Sequence, residues 1–471
     1  MKHSPTVARI ILKSAWQAVC RPSCDHLRRL SPLRSGSLRS ALTALLLAPL
    51  AALQAAEQPK LPTVDIRAHD DAKAADAGIG ISPASPLAQE FTVIAQINPR
   101  PDTSTGRYTI ADAPSLVRLA DGGLFCATPF VNRKRNPSGG TEEERRNWFR
   151  TERNVWDDRG LLHFHRSDDQ GRTWKKLPQE LEFQCGRLIQ QGKTLYFLGV
   201  GRYRNDGIQI SRSNDGGVSW AAPTRLFEGA YYQASTGMVI RNGRLYWCFG
   251  TASEEGKFNS YGSRTVVVAA DFKRDLTQRD AWRISKALTF PSDALNGIRS
   301  GTRPSPDHWL EGNVVESGGQ LQVLWRSKID DSTTQNLAAV CTLTDDGSLL
   351  DYRFSRFYPV PGAHLHFHIL RDEQTGIYWM TSQAGTRGRL ALHCSHDALN
   401  WLHAAYLVVW PKATQASNYT GPLIDGEDLL FGARTAYEAP NNHDNDLVTF
   451  HRVRNFRDLA KPLMTAGRGL R

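Results

Sequence analysis

The chain has 471 residues, with 58 Lys and Arg against 47 Asp and Glu, a formal charge of +11. A hydrophobic content of 40% and a mean hydropathy of −0.43 exclude a polytopic membrane protein and a disordered chain. Its 12 Trp, 13 Tyr, 18 Phe and 38 Gly favour β-structure broken by many tight turns.

The first element is a leader. Residues 1–56 hold eight basic residues and one acid, then the apolar run Ala41–Leu53 and the small residues Ala55 and Ala56. Basic flank, short apolar core and small residues are the order of a secretory signal, so export to the periplasm or outside the cell is expected. The core is interrupted by Pro49 and too short to span a bilayer, so no stable membrane insertion is expected. The leader accounts for +7 of the charge and leaves 50 basic and 46 acidic residues. A nearly balanced remainder, without a binding motif or an interleaved basic and aromatic array, argues against nucleic acid as a partner. Residues 57–100 read as an N-terminal linker, 101–460 as the folded body and 461–471 as a tail.

Along the body one pattern recurs: a few apolar residues, a glycine turn, then another apolar strand. The copies start at Ser115, Gly186, Met238, Val314, Ile369 and Pro422, with turn glycines Gly122, Gly192, Gly243, Gly318, Gly376 and Gly426. Each reads as a β-hairpin. Six copies spaced about 61 residues apart, with little helical pattern, predict an all-β, six-bladed β-propeller with four-stranded antiparallel blades. A monomer is expected. The charged segment Thr141–Arg153 is the one helical candidate and reads as a surface insertion. Cys126, Cys185, Cys248, Cys341 and Cys394 form no metal-type spacing, and those within apolar runs read as buried thiols, with one or two disulfides open after export.

A second repeat is Ser-x-Asp-x-Gly-x-x-Trp, at Ser167–Trp174 and Ser213–Trp220, with a shortened form at Ser395–Trp401. Ser and Asp can cap a tight turn, Gly can take a positive φ and Trp can pack between strands, which makes it a folding element. Reading back from each hairpin to the start of its first strand gives Asp112, Gln184, Gln233 or Ser235, Glu311 with Asn313, His364, His366 and His368, and Tyr419. These polar groups would enter one end of the ring and make a ligand site. The three histidines alternate and would share a strand face. Site-lining, acid–base and structural roles all remain open for them, and no metal or cofactor is expected.

These residues resemble the sialidase (neuraminidase) superfamily. The Ser-Asp-Gly-Trp turn is similar to its Asp-box, or BNR repeat. The segment from Glu311 to Arg326 resembles the family stretch that carries its Glu and second arginine. Arg389, followed by the shortened box, resembles the third arginine, and Tyr419 the nucleophile. The resemblance implies a six-bladed propeller and a glycoside hydrolase in which Glu311 activates Tyr419 while arginines hold a substrate carboxylate. The first half departs from the pattern. Asp112 stands where the family has its first arginine, and Asn132 where it has its Asp acid/base. Asp112 is therefore a candidate for a displaced acid/base. Arg326, Arg389, Arg212, His366, Asn132 and Asn313 are candidate substrate contacts, and Asn441, Asn442, His443 and Asp444 could meet sugar hydroxyls in a loop over the mouth, before a strand that closes the ring. Two alternatives stay open. One is a propeller lyase or rhamnosidase on uronate-containing glycans, using Arg212, Tyr196, Tyr203 and the histidines. The other is a glycan-binding propeller without catalysis. All three imply a glycan or polysaccharide partner.

Overall fold

A computed structural model describes residues 85–100, 103, 107–134, 159–252, 264–295, 308–328 and 336–461. The leader, the predicted helix Thr141–Arg153 and the tail 462–471 lie outside them. Six antiparallel sheets, each four strands deep, form a six-bladed propeller as the hairpin count predicts. No helix among the described residues is long and apolar enough to cross a membrane.

Each blade begins with its innermost strand and works outward. Blade 2 runs Phe183–Gln191, Thr194–Gly201, Ile208–Ser213 and Thr224–Phe227, paired in that order. Blades 4 and 5 repeat the scheme from His308 to Pro359 and from His368 to Val409. Blade 6 has only three strands from its own stretch of chain: Ala416–Asp425, Asp428–Ala436 and Leu447–Val453. Its outermost strand is Thr92–Gln96, paired antiparallel with Leu447–Val453 from the other end of the ring. The strand after Glu438 thus supplies the third place in blade 6. Closure itself comes from residues 92–96, inside the stretch read as a linker. Pairing first with last removes the open edge that a sheet-built ring would otherwise expose.

The Ser-Asp-Gly-Trp turns join neighbouring blades. In the second, Ser213 Oγ lies 2.8 Å from Asp215 Oδ1 and accepts the Gly217 N–H at 2.9 Å, while Asp215 accepts the Ser219 N–H at 3.0 Å. Gly217 has φ +89°, and a Cβ there would strike the Phe125 ring of blade 1. Trp220 stacks on Phe164 of the same blade at 4.6 Å. The first turn packs Trp174 against Phe450 of blade 6 at 5.4 Å, and Trp401 packs into the cluster that holds Val315 and Leu324 of blade 4. Each turn therefore docks its own blade onto the one before it. Trp247, Trp309 and Trp325 are fully buried between blades 3 and 4. Complete burial of such a side chain is worth about 2–3 kcal/mol. All five described cysteines are buried and free.

Candidate functional site

The polar side chains at the mouth sit where the innermost strands break. In blade 4 the register slips between Leu310 and Asn313, and Glu311 takes φ +51°. In blade 6 it slips between Asn418 and Gly421, and Tyr419 takes φ +49°. A left-handed backbone is costly for both residue types, and such strain gathers at functional positions. The bulge re-aims one side chain off the sheet face toward the axis. Blade 2 slips at Gln184, while blades 1 and 3 break more widely, over Asp112–Pro114 and Gln233–Met238. Gly421 secures the last junction: a Cβ there would lie 1.9 Å from the Pro114 carbonyl oxygen, so blade 6 presses directly on the Asp112 segment.

Asp112, Glu311 and Tyr419 lie near enough to one another that the charge of Glu311 acts on both of the others. Glu311, 1% exposed, accepts Arg326 Nη1 on Oε2 at 2.7 Å and the Tyr232 hydroxyl on Oε1 at 3.1 Å. Arg326 also donates from Nε to the His364 carbonyl at 3.1 Å, and its charge acts on the Tyr419 phenol. Its guanidinium thus acts on both the Glu and the Tyr. The Arg434 guanidinium lies over the Tyr419 ring at 4.9 Å, the His366 ring is 4.8 Å away, and His443 meets it edge-on at 6.5 Å. Arg204 covers the Tyr232 ring at 4.8 Å.

Burial raises the Asp112 carboxyl above its ordinary value, against the pull of Arg434, the Ala113 N–H and Arg133. Burial acts on Glu311 in the same sense, but the Arg326 charge and the hydrogen bonds from Arg326 and Tyr232 outweigh it and hold Glu311 low. The Tyr419 phenol is pushed up by burial and by Glu311, more than Arg326, Arg387 and Arg434 pull it down. Burial lowers His366 to about 4, so it is neutral at pH 7. One carboxyl is thus disposed to hold a proton and the other to lack one, which divides the acid and base tasks between them.

Other candidates fall elsewhere. Arg389 is exposed at the start of its strand. Its neighbour Arg387, in the turn just before, faces the site instead: it donates to Asn418 Oδ1 at 3.2 Å, and Tyr419, Arg326, Arg434 and Glu311 all act on its charge. Arg212 lies toward the opposite end of the ring, paired with Asp275 at 2.6 Å and in register with Tyr196. Arg212 and Tyr196 are thus remote from Tyr419. Asn132 accepts Arg107 Nη1 at 3.2 Å and lines a separate cavity of about 530 Å3 between blades 1 and 2. Asn313 is buried and fully engaged as a clamp: Oδ1 accepts the N–H groups of Gly237 and Ile369, and Nδ2 donates to the carbonyls of Phe367 and Glu311.

The histidines do not share a strand face, because the strand begins only at His368. His366 and His368 both reach the Ser235 carbonyl, at 3.2 and 3.1 Å, while His364 pairs with Asn336 at 2.9 Å. No group of metal-ligating side chains occurs among the described residues. In the loop over the mouth, Asn441 accepts the N–H groups of His443 and Asp444, and Asn442 donates to the Ala413 carbonyl. Arg387 and Arg434 were not singled out from the sequence. Arg434 carried a signal: a lone charge inside the apolar run Leu429–Ala436, now 2% exposed and donating to the His443 carbonyl at 2.6 Å.

No family model matches the chain, and no curated protein matches it. Among solved structures, a protein of unknown function from Dyadobacter fermentans is 14% identical over 78% of this chain and 99% of its own, with a TM-score of 0.49. A Trypanosoma rangeli sialidase in complex with sialic acid is 14% identical over 81% of this chain and 60% of its own, with a TM-score of 0.48. An α-L-arabinofuranosidase from Fusarium graminearum is 12% identical over 78% of this chain and 98% of its own, with a TM-score of 0.44. Likeness at this level concerns the course of the chain and leaves the chemistry to the site itself.

Proposed function

We propose that this propeller is an exported glycoside hydrolase acting on a sugar that carries a carboxylate. The observation that supports it is the arrangement around Tyr419, with Arg326, Arg387 and Arg434 about it and two buried carboxyls of opposite tendency at the same mouth. Three guanidinium groups suit a substrate carboxylate, which each can hold by paired hydrogen bonds. Arg434, from blade 6, makes good the cation missing at Asp112.

In this reading the Tyr419 oxygen attacks the anomeric carbon, and its phenolic proton passes to Glu311. A neutral phenol approaches an anionic sugar without the repulsion that a carboxylate nucleophile would meet. The bond to the leaving oxygen breaks as Asp112 delivers its proton there. Asp112, now ionised, takes a proton from water, which attacks the anomeric carbon and releases Tyr419. The phenolate recovers its proton from Glu311. Two displacements give net retention of configuration.

The test is Tyr419→Phe assayed on aryl glycosides of acidic sugars and on uronate polysaccharides, following reducing ends and ultraviolet absorbance together. Turnover should fall by about 10³-fold or more while ligand binding persists. Unchanged turnover would remove Tyr419 as nucleophile. An ultraviolet-absorbing product from the wild type would favour the lyase alternative, and binding without any turnover the non-catalytic one.

A further inference from the structure

A second cavity, of about 530 Å3, opens at the end of the ring away from Tyr419. Its rim carries Arg241 and Arg371, close to the hairpin turns of blades 3 and 5 and so opposite the strand starts that make the mouth. Inward, it reaches Arg187 of blade 2 and His368 of blade 5. The rim charges cancel in pairs: Arg241 meets Glu316 at 3.1 Å and Arg371 meets Glu373 at 2.8 Å. Arg187 has no such partner. It donates from Nη1 to the Thr236 carbonyl and from Nε to the Leu188 carbonyl at 3.4 Å, and no carboxylate pairs with it among the described residues.

A guanidinium has five N–H donors, so two backbone carbonyls leave three of Arg187's without a protein acceptor. Arginine keeps its charge at physiological pH. Arg187 is half-buried, and a charge partly withdrawn from water without a counter-charge favours a counter-ion. Burial alone depresses Arg187, to about 10, with no acid acting to restore it. The nearby imidazole supplies no compensating charge: burial and the Arg187 charge both keep His368 well below its ordinary value and hence neutral. With His368 neutral and the rim pairs cancelled, the charged side chains lining this cavity sum to one positive charge, that of Arg187.

We propose that Arg187 and the channel around it bind a small inorganic anion that enters from the face opposite the Tyr419 mouth. The anion completes the charge balance of the channel and accepts the N–H donors of Arg187. His368 and His366 share the Ser235 carbonyl, and His366 touches Tyr419, so the anion sits below the candidate active site without entering it.

The experiment is thermal unfolding of the full chain at fixed ionic strength, with sodium chloride or sodium phosphate replacing sodium gluconate. A ligand that binds only the folded state stabilises it with a saturating dependence on concentration. The expected result is a saturable rise in Tm of about 3 °C with at least one of the two anions, absent in Arg187→Met. Comparing the arms decides between a halide and an oxyanion. The same rise in Arg187→Met, or none in the wild type, overturns the proposal. Should the variant fail to fold, bromide soaked into wild-type crystals replaces it. An anomalous peak beside the Arg187 guanidinium supports the site, and its absence at saturating bromide overturns it.

Discussion

Asp112 enters the mouth from blade 1 and Glu311 from blade 4, both buried, and their surroundings treat them differently. Glu311 has Arg326 at 2.7 Å and the Tyr232 hydroxyl on its other oxygen. Asp112 accepts the adjacent Ala113 N–H at 2.9 Å and feels Arg434 and Arg133 through their charge. Desolvation is the leading influence on both carboxyls, yet it prevails only at Asp112. Burial by itself therefore does not set the direction of the shift; the partner on the carboxylate does.

The strongest way to break this comparison is Glu311→Gln. It removes the proposed base and leaves Arg326 buried without its counter-charge. We expect kcat to fall by about 10³-fold and stability to fall by about 3–5 kcal/mol, measured by turnover and by urea unfolding. Equal stability in variant and wild type would mean that the 2.7 Å pair contributes nothing net.

Asp112→Asn should part activity from stability. Turnover should drop by about 10²-fold, and less for a leaving group that needs no proton. The folded-state pKa of Asp112 is raised, so the ionised carboxyl costs stability as pH climbs from the unfolded value through the folded one. Asn removes that cost, and Tm at pH 7 should hold or rise. Glu311 has the opposite sign: its depressed pKa contributes stability above the unfolded value that is lost as pH falls through the folded one. The wild-type kcat profile should be a bell with Glu311 on the acid limb and Asp112 on the alkaline limb. Asp112→Asn should abolish the alkaline limb alone.

A smaller effect separates Arg387 from Arg389. Arg387→Met should raise KM about 10- to 100-fold for a carboxylate-bearing substrate, whereas Arg389→Ala should leave kcat and KM within about twofold. The reverse result would restore Arg389 to the site. Least of all should come from Arg212→Met. Its pair with Asp275 is about a third exposed on each side, and such pairs contribute about 0–1 kcal/mol, so unfolding should shift little and activity not at all.

The six blades were legible because strand periodicity and glycine turns are local. Gly122, Gly192 and Gly243 each mark a hairpin, whatever the rest of the chain does. The Ser-Asp-Gly-Trp turns were legible for the same reason. Tyr419, Glu311 and Asp112 stood out because each is a polar group just ahead of an apolar run; that Glu311 and Tyr419 sit at bulges within their strands was not local information. Arg387 and Arg389 stand two residues apart in one turn, and nothing local says which will face the axis. Asn313 looked like a site residue because it is polar at a strand start, yet its four backbone partners come from blades 3, 4 and 5, which meet only in the closed ring.

By itself the sequence determined the repeat, the turn chemistry and the end of each blade that bears polar groups, since these depend on residues within a few positions of one another. Closure of the ring settles which cations surround Tyr419, which acid is pushed toward its protonated form and which strand completes blade 6. Those outcomes depend on distances between blades and on the water that the closed ring excludes. A charge 100 residues away in the chain acts on Tyr419 only once closure has brought it within a few ångströms in a medium that screens it weakly.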